Sequence, residues 1–323
     1  MTRDESDFHG EVPGDVLSDV LRFAGLEGRV FCRATLSSPW ALDIPADGLV
    51  HFHYLERGQC RLLTRGSGGE RGVSAGEIVV LTRGAGYLLR DASGSAPVGI
   101  GSLVGRSPRG AACALVTHGG GEKTRMLCGS FRFRTGREAL LLPQLPAVMV
   151  LGTRDEGDAN LLDPILRMMA GEARRQATGA SLAVSRLVEA LFIQVLRAWL
   201  ESRDLDAAVG WLRALKDARI ASALGAMHAK PGHSWTVAQL AAAARMSRSP
   251  FAARFRETVG EAPLAYLTRW RMHLASGLLE DGALGIKEVA DRVGYGSEAS
   301  FSKAFKSFAG VPPGRWRERQ ATA

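Results

Sequence analysis

Two histidines separated by one residue, His51 and His53 in LVHFHYLE, are the first side chains in the 323-residue chain whose type and spacing suit chemistry. On an extended strand residues two apart face the same side. Both imidazoles therefore share a face, with Glu56 close behind, and they either bind something together or one packs and hydrogen-bonds inside a core while the other is incidental. His118, in THGGGEKTR, lies in a loop-like stretch and does not extend the group. Four cysteines, Cys32, Cys60, Cys113 and Cys128, lie far apart with no CxxC, so neither a disulfide framework nor a zinc cluster is indicated. Cys32 and Cys128 fall on separate strand-like runs that one barrel can bring together. They form either a redox pair or two buried apolar side chains.

The elements that must hold these residues follow from periodicity. From about residue 29, short apolar runs separated by glycine (RVFCRATL, LVHFHYLE, QCRLLT, EIVVLT, GYLLRD, TRMLCGSFRF) mark an all-β barrel or sandwich. LVHFHYLERGQCRLLT reads as a hairpin turning at Arg57-Gly58, where glycine supplies the positive φ of a tight turn. Ahead of it, Val16, Leu17, Val20, Leu21 and Ala24 predict a short opening helix. Residues 159–229 turn helical again. The stretch SLAVSRLVEALFIQVLRAWL is apolar around most of its girth, a dimer interface or a helix buried within one chain. AKPGHSW, with Pro231 and Gly232, is the expected linker into the tail.

The tail carries a repeat. Ile286, Val289, Ala290 and Val293 share one helical face, as do Phe301, Phe305 and Phe308, with Gly294 and Gly296 breaking the chain between them and Ser297 placed to cap the second helix. Val237, Leu240, Ala241 and Ala244 repeat the first set 49 residues upstream, and Phe251 and Phe255 repeat the second set 50 upstream. Two helices joined by a tight turn form a helix-turn-helix, whose second helix reads a major groove. Between the copies APLAYLTRWRMHLASGLLEDG predicts a helix of about 18 residues, roughly 27 Å long. That length suits two successive major grooves about 34 Å apart.

Charge agrees. The chain carries a net charge of +8, and residues 230–323 hold 14 basic against 8 acidic residues, an excess of 6. A basic excess confined to one region is the footprint of phosphate contact. The acidic, polar start MTRDESDF does not read as a signal peptide, and Arg186, Glu189, Gln194 and Arg197 interrupt the most apolar run too often for a membrane span. A soluble cytoplasmic protein is expected.

The segments TVAQLAAAARMSRSPFAARFRETVG, PLAYLTRWRMHLA and IKEVADRVGYGSEASFSKAFKSFAGVPPGRWR resemble the DNA-binding domain of AraC/XylS-type transcriptional regulators over about the last 95 residues. The stretch from Phe52 to Cys60, with Gly76–Leu81 and Cys128–Pro146, is similar to the cupin-like sensing domain of one branch of that family. The resemblance implies an α+β chain in three parts: a cupin-like sensing barrel at 14–150, a helical dimerisation segment at 159–229, and a double helix-turn-helix at 230–323. It implies double-stranded promoter DNA and RNA polymerase as partners, a homodimer, an unidentified small-molecule or redox effector, no cofactor and no catalytic site. Cupin enzymes complete an HxH plus Glu set with a histidine from a second strand; where it would stand this chain has Tyr87. Hence His51, His53, Tyr87 and Cys128 are candidates for sensing rather than metal binding, and a metal-dependent cupin enzyme fused to a DNA-binding domain is the alternative.

The same resemblance places DNA contacts on the early part of each reader. On the first these are Ser249, Ala252 and Ala253, with Arg248, Arg254 and Arg256 around them. Serine and alanine offer one hydrogen bond or a thymine methyl contact at most, so phosphate anchoring by the arginines is the firmer expectation here. On the second they are Ser297, Glu298, Ala299, Ser300, Ser302, Lys303 and Lys306. Glu298 can accept from cytosine or serve the helix dipole, and Lys303 can donate to guanine.

Overall fold

The computed structural model describes residues 15–65, 69–99, 113–116, 120–134, 136–153, 161–175, 177–202 and 210–321. His118 and the opening MTRDESDF lie outside them. The chain opens with helix α1 (Val16–Ala24), followed by β1 (Glu27–Ser37), β2 (Ala41–Ile44), β3 (Val50–Arg57), β4 (Gln59–Thr64), β5 (Glu70–Ser74), β6 (Glu77–Leu81), β7 (Tyr87–Arg90), β8 (Val98–Gly99), β9 (Cys113–Val116), β10 (Lys123–Arg132) and β11 (Val148–Gly152). Helices α2 (Leu162–Arg175) and α3 (Ala180–Glu201) come next. Then follow α4 (Gly210–Ala214), α5 (Ala218–Ala229), α6 (Val237–Ala243), α7 (Arg248–Val259), α8 (Pro263–Asp281), α9 (Ile286–Arg292), α10 (Glu298–Ala309) and α11 (Pro313–Ala321).

Contacts part the chain into two units, one holding residues 25–207 and the other residues 1–24 with 208–323. In the first, a six-stranded sheet ordered β11-β6-β3-β10-β1-β9 and a five-stranded sheet ordered β5-β4-β7-β2-β8 enclose a core that includes Cys32, Leu55, Cys60, Val79, Tyr87 and Cys128. The expected hairpin at Arg57-Gly58 is not one. β3 belongs to the six-stranded sheet and β4 to the five-stranded sheet, so the chain turns a corner between them. Gly58 sits at φ +84°, and a Cβ there would lie 2.9 Å from the Lys123 carbonyl oxygen. The positive φ that suits a hairpin equally suits a corner, which is why the local signal misled.

Helix α3 accounts for its own wide apolar stripe. Val188, Leu191, Phe192, Val195, Leu196 and Trp199 are buried, the Phe192 ring packs tilted against Phe131 of β10 with centroids 4.7 Å apart, and the Ser185 hydroxyl donates to the Gly28 carbonyl at 2.9 Å. β3 is buried over most of its length: Leu55 belongs to the core between the sheets, while Phe52 lies against Phe131, the ring that meets Phe192. What stays exposed is Leu182, with Leu161 and Met168 from the neighbouring turn and helix. The 159–229 segment is thus divided, α2 and α3 packing with the sheets and α4 and α5 with the tail.

The second unit contains α1. Phe23 meets Trp270 and His273 of α8 edge-on, with centroids 5.9 and 5.7 Å apart, and Asp19 lies 3.7 Å from His228 of α5. The opening helix therefore belongs with the tail and not with the sheets. Residues 230–235 are also part of this unit: Arg271 donates to the carbonyls of Pro231 and His233, each at 2.7 Å. They are folded against α8 instead of serving as a linker, and the division of the chain falls earlier, near residue 207.

Candidate functional site

The second helix of each helix-turn-helix is built by the same means. Phe251 and Phe255 of α7 are fully buried with rings 5.7 Å apart, and Phe301 and Phe305 of α10 repeat that at 5.7 Å. Residues four apart on a helix share a face, so burying the phenylalanines turns the opposite face outward. The helices ahead of the readers start at defined points. The Thr236 hydroxyl accepts from the Gln239 N–H at 3.2 Å while the Thr236 N–H donates to the Gln239 side chain at 2.8 Å, and Glu288 accepts from the Gly285 N–H at 2.6 Å. Ser297 caps α10, its hydroxyl accepting from the Ser300 N–H at 3.2 Å. Between the two helix-turn-helix units α8 runs 19 residues, about 28 Å.

The exposed faces carry the predicted residues. On α7 these are Arg248, Ser249, Ala253, Arg254 and Arg256, with Ala252 half-buried; at α10 they are Ser297, Glu298, Ala299, Ser300, Lys303 and Lys306, with Ser302 half-buried. Arg254 differs from the others because Asp217, the cap of α5, binds its guanidinium. Burial pushes the Asp217 carboxyl up, but the Arg254 hydrogen bond and the N–H groups of Ile220 and Arg219 together hold it below the usual carboxylate range. This partner lies 37 residues away in sequence, and no local pattern announces it. Among the described residues Arg248, Arg256, Lys303 and Lys306 make no ion pair, which leaves four cations turned outward.

In the sheet unit His51, His53 and Tyr87 come together. The Tyr87 hydroxyl lies 2.8 Å from His51 Nδ1 and 2.6 Å from His53 Nε2, and His51 Nε2 lies 3.0 Å from the Asp47 carboxylate. One assignment of protons satisfies this chain: His53 Nε2–H donates to the tyrosine oxygen, the tyrosine O–H donates to His51 Nδ1, and His51 Nε2–H donates to Asp47. Both imidazoles are then neutral. Burial lowers His51 despite Asp47, and burial with His51 nearby lowers His53 to about 3. Burial likewise holds the Tyr87 hydroxyl well above its ordinary value. His53 Nδ1 is buried without a partner.

These contacts do not fit a cupin metal. The nitrogens that would converge on an ion converge on the Tyr87 hydroxyl, and Glu56 is held by Arg33 at 2.8 Å. Among the described residues no group of three His, Cys, Asp or Glu side chains could hold a metal.

A lateral row completes the site. Cys32 of β1 is register-paired with Cys128 of β10, and Cys128 with His53 of β3. Cys32 and Cys128 are buried, and a hydrogen bond from Cys128 lowers the Cys32 thiol while burial opposes it. Cys60, elsewhere in the core, is pushed up to about 12 by burial and by Glu77. Sequence periodicity places Cys32 and Cys128 on strands, but only strand pairing makes them neighbours.

Comparison with known proteins agrees with a sheet-rich part followed by a helical helix-turn-helix part. Residues 15–201 match a family described as Cupin, and residues 240–319 a family described as Helix-turn-helix domain. A putative AraC-like transcription regulator of Streptomyces lividans is 36% identical over 304 residues, 94% of this chain and 98% of that protein. One of the same description from Streptomyces antibioticus is 37% identical over 306 residues, with 94% and 98% covered. RclR of Escherichia coli, named an RCS-specific HTH-type transcriptional activator, is 29% identical over 308 residues, with 94% and 98% covered.

Proposed function

This chain belongs to the AraC-like transcription regulators, a cupin part preceding a helix-turn-helix part, and from that premise we propose that its sheet unit senses a signal through the Cys32–Cys128 pair. It is a DNA-binding regulator and not an enzyme, as its relatives are regulators over almost their whole length. The exposed starts of α7 and α10 face promoter DNA. Lys303 and Glu298 contact bases, and Arg248 and Arg256 contact phosphates. The working state is a cytoplasmic homodimer that engages RNA polymerase, with Leu161, Met168 and Leu182 at the dimer contact. Among the described residues no helix is long and apolar enough to cross a membrane.

The observation that carries the sensing reading is the register pairing of Cys32 with Cys128. Directly opposed residues on antiparallel strands have Cα atoms about 4.5–5.5 Å apart, inside the span of about 4.4–6.8 Å that a disulfide bridges. The lowered Cys32 thiol is the nucleophile. With hydrogen peroxide, its sulfur attacks one oxygen, the O–O bond breaks, and the departing hydroxide takes a proton to leave water and a sulfenic acid. The Cys128 sulfur then attacks the Cys32 sulfur, the S–S bond forms, and hydroxide leaves with the Cys128 proton as a second water. Two thiols and one peroxide give one disulfide and two waters. β1 begins three residues after α1 ends, so a change along β1 has a short covalent route to the helix packed on α8.

A second reading rests on His53 Nδ1, whose lack of a partner suits a small molecule that donates a hydrogen bond. Differential alkylation and mass mapping of the full-length protein after one equivalent of peroxide decides between the two. The thiol reading expects Cys32 and Cys128 linked to each other, and a Cys128→Ser variant stopping at the sulfenic acid. Both cysteines recovered as thiols would leave only the small-molecule reading.

A further inference from the structure

The two helix-turn-helix turns are the same structure made with different residues. In the second, the Gly294 N–H donates to the Asp291 carbonyl at 3.1 Å and the Tyr295 N–H to the Ala290 carbonyl at 2.9 Å. In the first, the Arg245 N–H donates to the Ala242 carbonyl at 2.9 Å and the Met246 N–H to the Ala241 carbonyl at 2.9 Å. These paired bonds close a helix through one residue in the left-handed region, a position that glycine fills without a Cβ penalty. Gly294 obeys, at φ +83°, and a Cβ there would also strike the Gly232 carbonyl oxygen at 2.5 Å. Arg245 does not: it holds φ +53°, alone among described non-glycine residues in having a positive φ.

Nothing among the described residues uses its side chain. Arg245 is exposed and makes no hydrogen bond, ion pair or ring contact through its guanidinium among the described residues. For folding alone an arginine here is the costly choice, because the left-handed conformation crowds its Cβ. It lies three residues before Arg248, in the turn that leads into the first reader, where helix-turn-helix proteins meet the duplex.

We propose that Arg245 is a DNA-contact residue, its guanidinium gripping a backbone phosphate beside the groove entered by α7. The left-handed backbone aims this cation from the turn itself, ahead of those on the helix. It also compensates for a first reader whose Ser249, Ala252 and Ala253 offer little to bases and whose Arg254 is held by Asp217. The inference rests on the DNA-binding reading of the tail.

The test uses the full-length protein carrying Arg245→Gly, Arg245→Asn or Arg245→Lys. Anisotropy titrations measure binding to a duplex that wild type selects from a random pool and to a shuffled duplex, each across a salt series. Arg245→Gly and Arg245→Asn should reduce the slope of log affinity against log salt by about 0.9 and weaken binding about eightfold per decade of salt below 1 M, equally on both duplexes. Arg245→Lys should keep the wild-type slope. The thermal midpoint of Arg245→Gly should hold or rise by about 2–4 °C, so that weaker binding cannot come from a damaged fold. A wild-type slope in Arg245→Gly, or a loss confined to the selected duplex, overturns the phosphate assignment. Salt-insensitive binding by wild type itself would instead overturn the DNA reading on which the assignment stands.

Discussion

Replacing Tyr87 by phenylalanine removes one oxygen from the sheet core and leaves the ring in place. That oxygen sits 2.6 Å from His53 Nε2 and 2.8 Å from His51 Nδ1. The variant strips His53 of its one hydrogen bond, since its other nitrogen is already buried without a partner, while His51 keeps Asp47. Leaving a buried polar atom unsatisfied costs about 1–3 kcal/mol. With His53 orphaned outright and His51 partly compensated, the loss comes to about 2–4 kcal/mol. Because the chain holds two units, a single global unfolding energy is ill-defined, so the assay is hydrogen exchange of the full-length protein read by mass spectrometry. Peptides covering β3 and β7 should exchange about 30- to 900-fold faster in Tyr87→Phe, while those covering α7 and α10 stay at wild-type rates. Adding His53→Leu to Tyr87→Phe should recover most of the loss, since apolar replacement of both partners is close to neutral. Wild-type exchange across β3 and β7 in the single variant would refute the claim that this hydroxyl satisfies the buried histidines.

Acid should destabilise both units. His53 and His273 are lowered by burial to about 3 and about 4 from an ordinary 6.5, so their neutral forms stabilise fully above about pH 6.5. That stability is lost as pH falls toward the folded values, at about 1.4 kcal/mol per pH unit for each histidine; a midpoint independent of pH between 6.5 and 5 contradicts this. Asp217→Ala removes the α5 cap and the partner of Arg254; loss of the cap should cost about 1–2 kcal/mol, read as faster hydrogen exchange across α5, without weakening DNA binding; a severalfold loss of affinity would mean the pair presents Arg254 to DNA. Lys303→Ala should lose about 1–3 kcal/mol on the selected duplex and far less on a shuffled one, whereas Glu298→Ala should relax preference at one base pair. Identical selected motifs from wild type and both variants would end the base-contact assignment.

The helical tail was readable almost residue by residue, because its signals are local. Phe251, Phe255, Phe301 and Phe305 state the buried face through spacing alone, and Ser297 caps the helix it was expected to cap. The sheet unit was readable as strands but not as pairings. Gly58 marks a turn without saying whether the next strand stays in the same sheet, and Cys32 and Cys128 stand 96 positions apart until β1 and β10 are laid side by side. Tyr87 illustrates the limit most plainly: in sequence it stands where a metal-binding histidine was absent, whereas in the fold its hydroxyl joins His51 to His53. Long-range partners such as Asp217 for Arg254, and α1 for α8, carry no periodic signature. The apolar stripe of α3 could not by itself distinguish a sheet from a second chain as its cover.

The central claim, that a thiol pair in the sheet unit governs DNA binding by the tail, is tested most directly by one affinity measurement in two redox states. Full-length protein is titrated onto its selected duplex in dithiothreitol, then after one equivalent of hydrogen peroxide, then after re-reduction, alongside Cys128→Ser. The account predicts a change in Kd of about 5- to 150-fold, the usual range for coupled sites, which re-reduction reverses and Cys128→Ser lacks. An unchanged Kd in protein shown to carry the Cys32–Cys128 disulfide would contradict it.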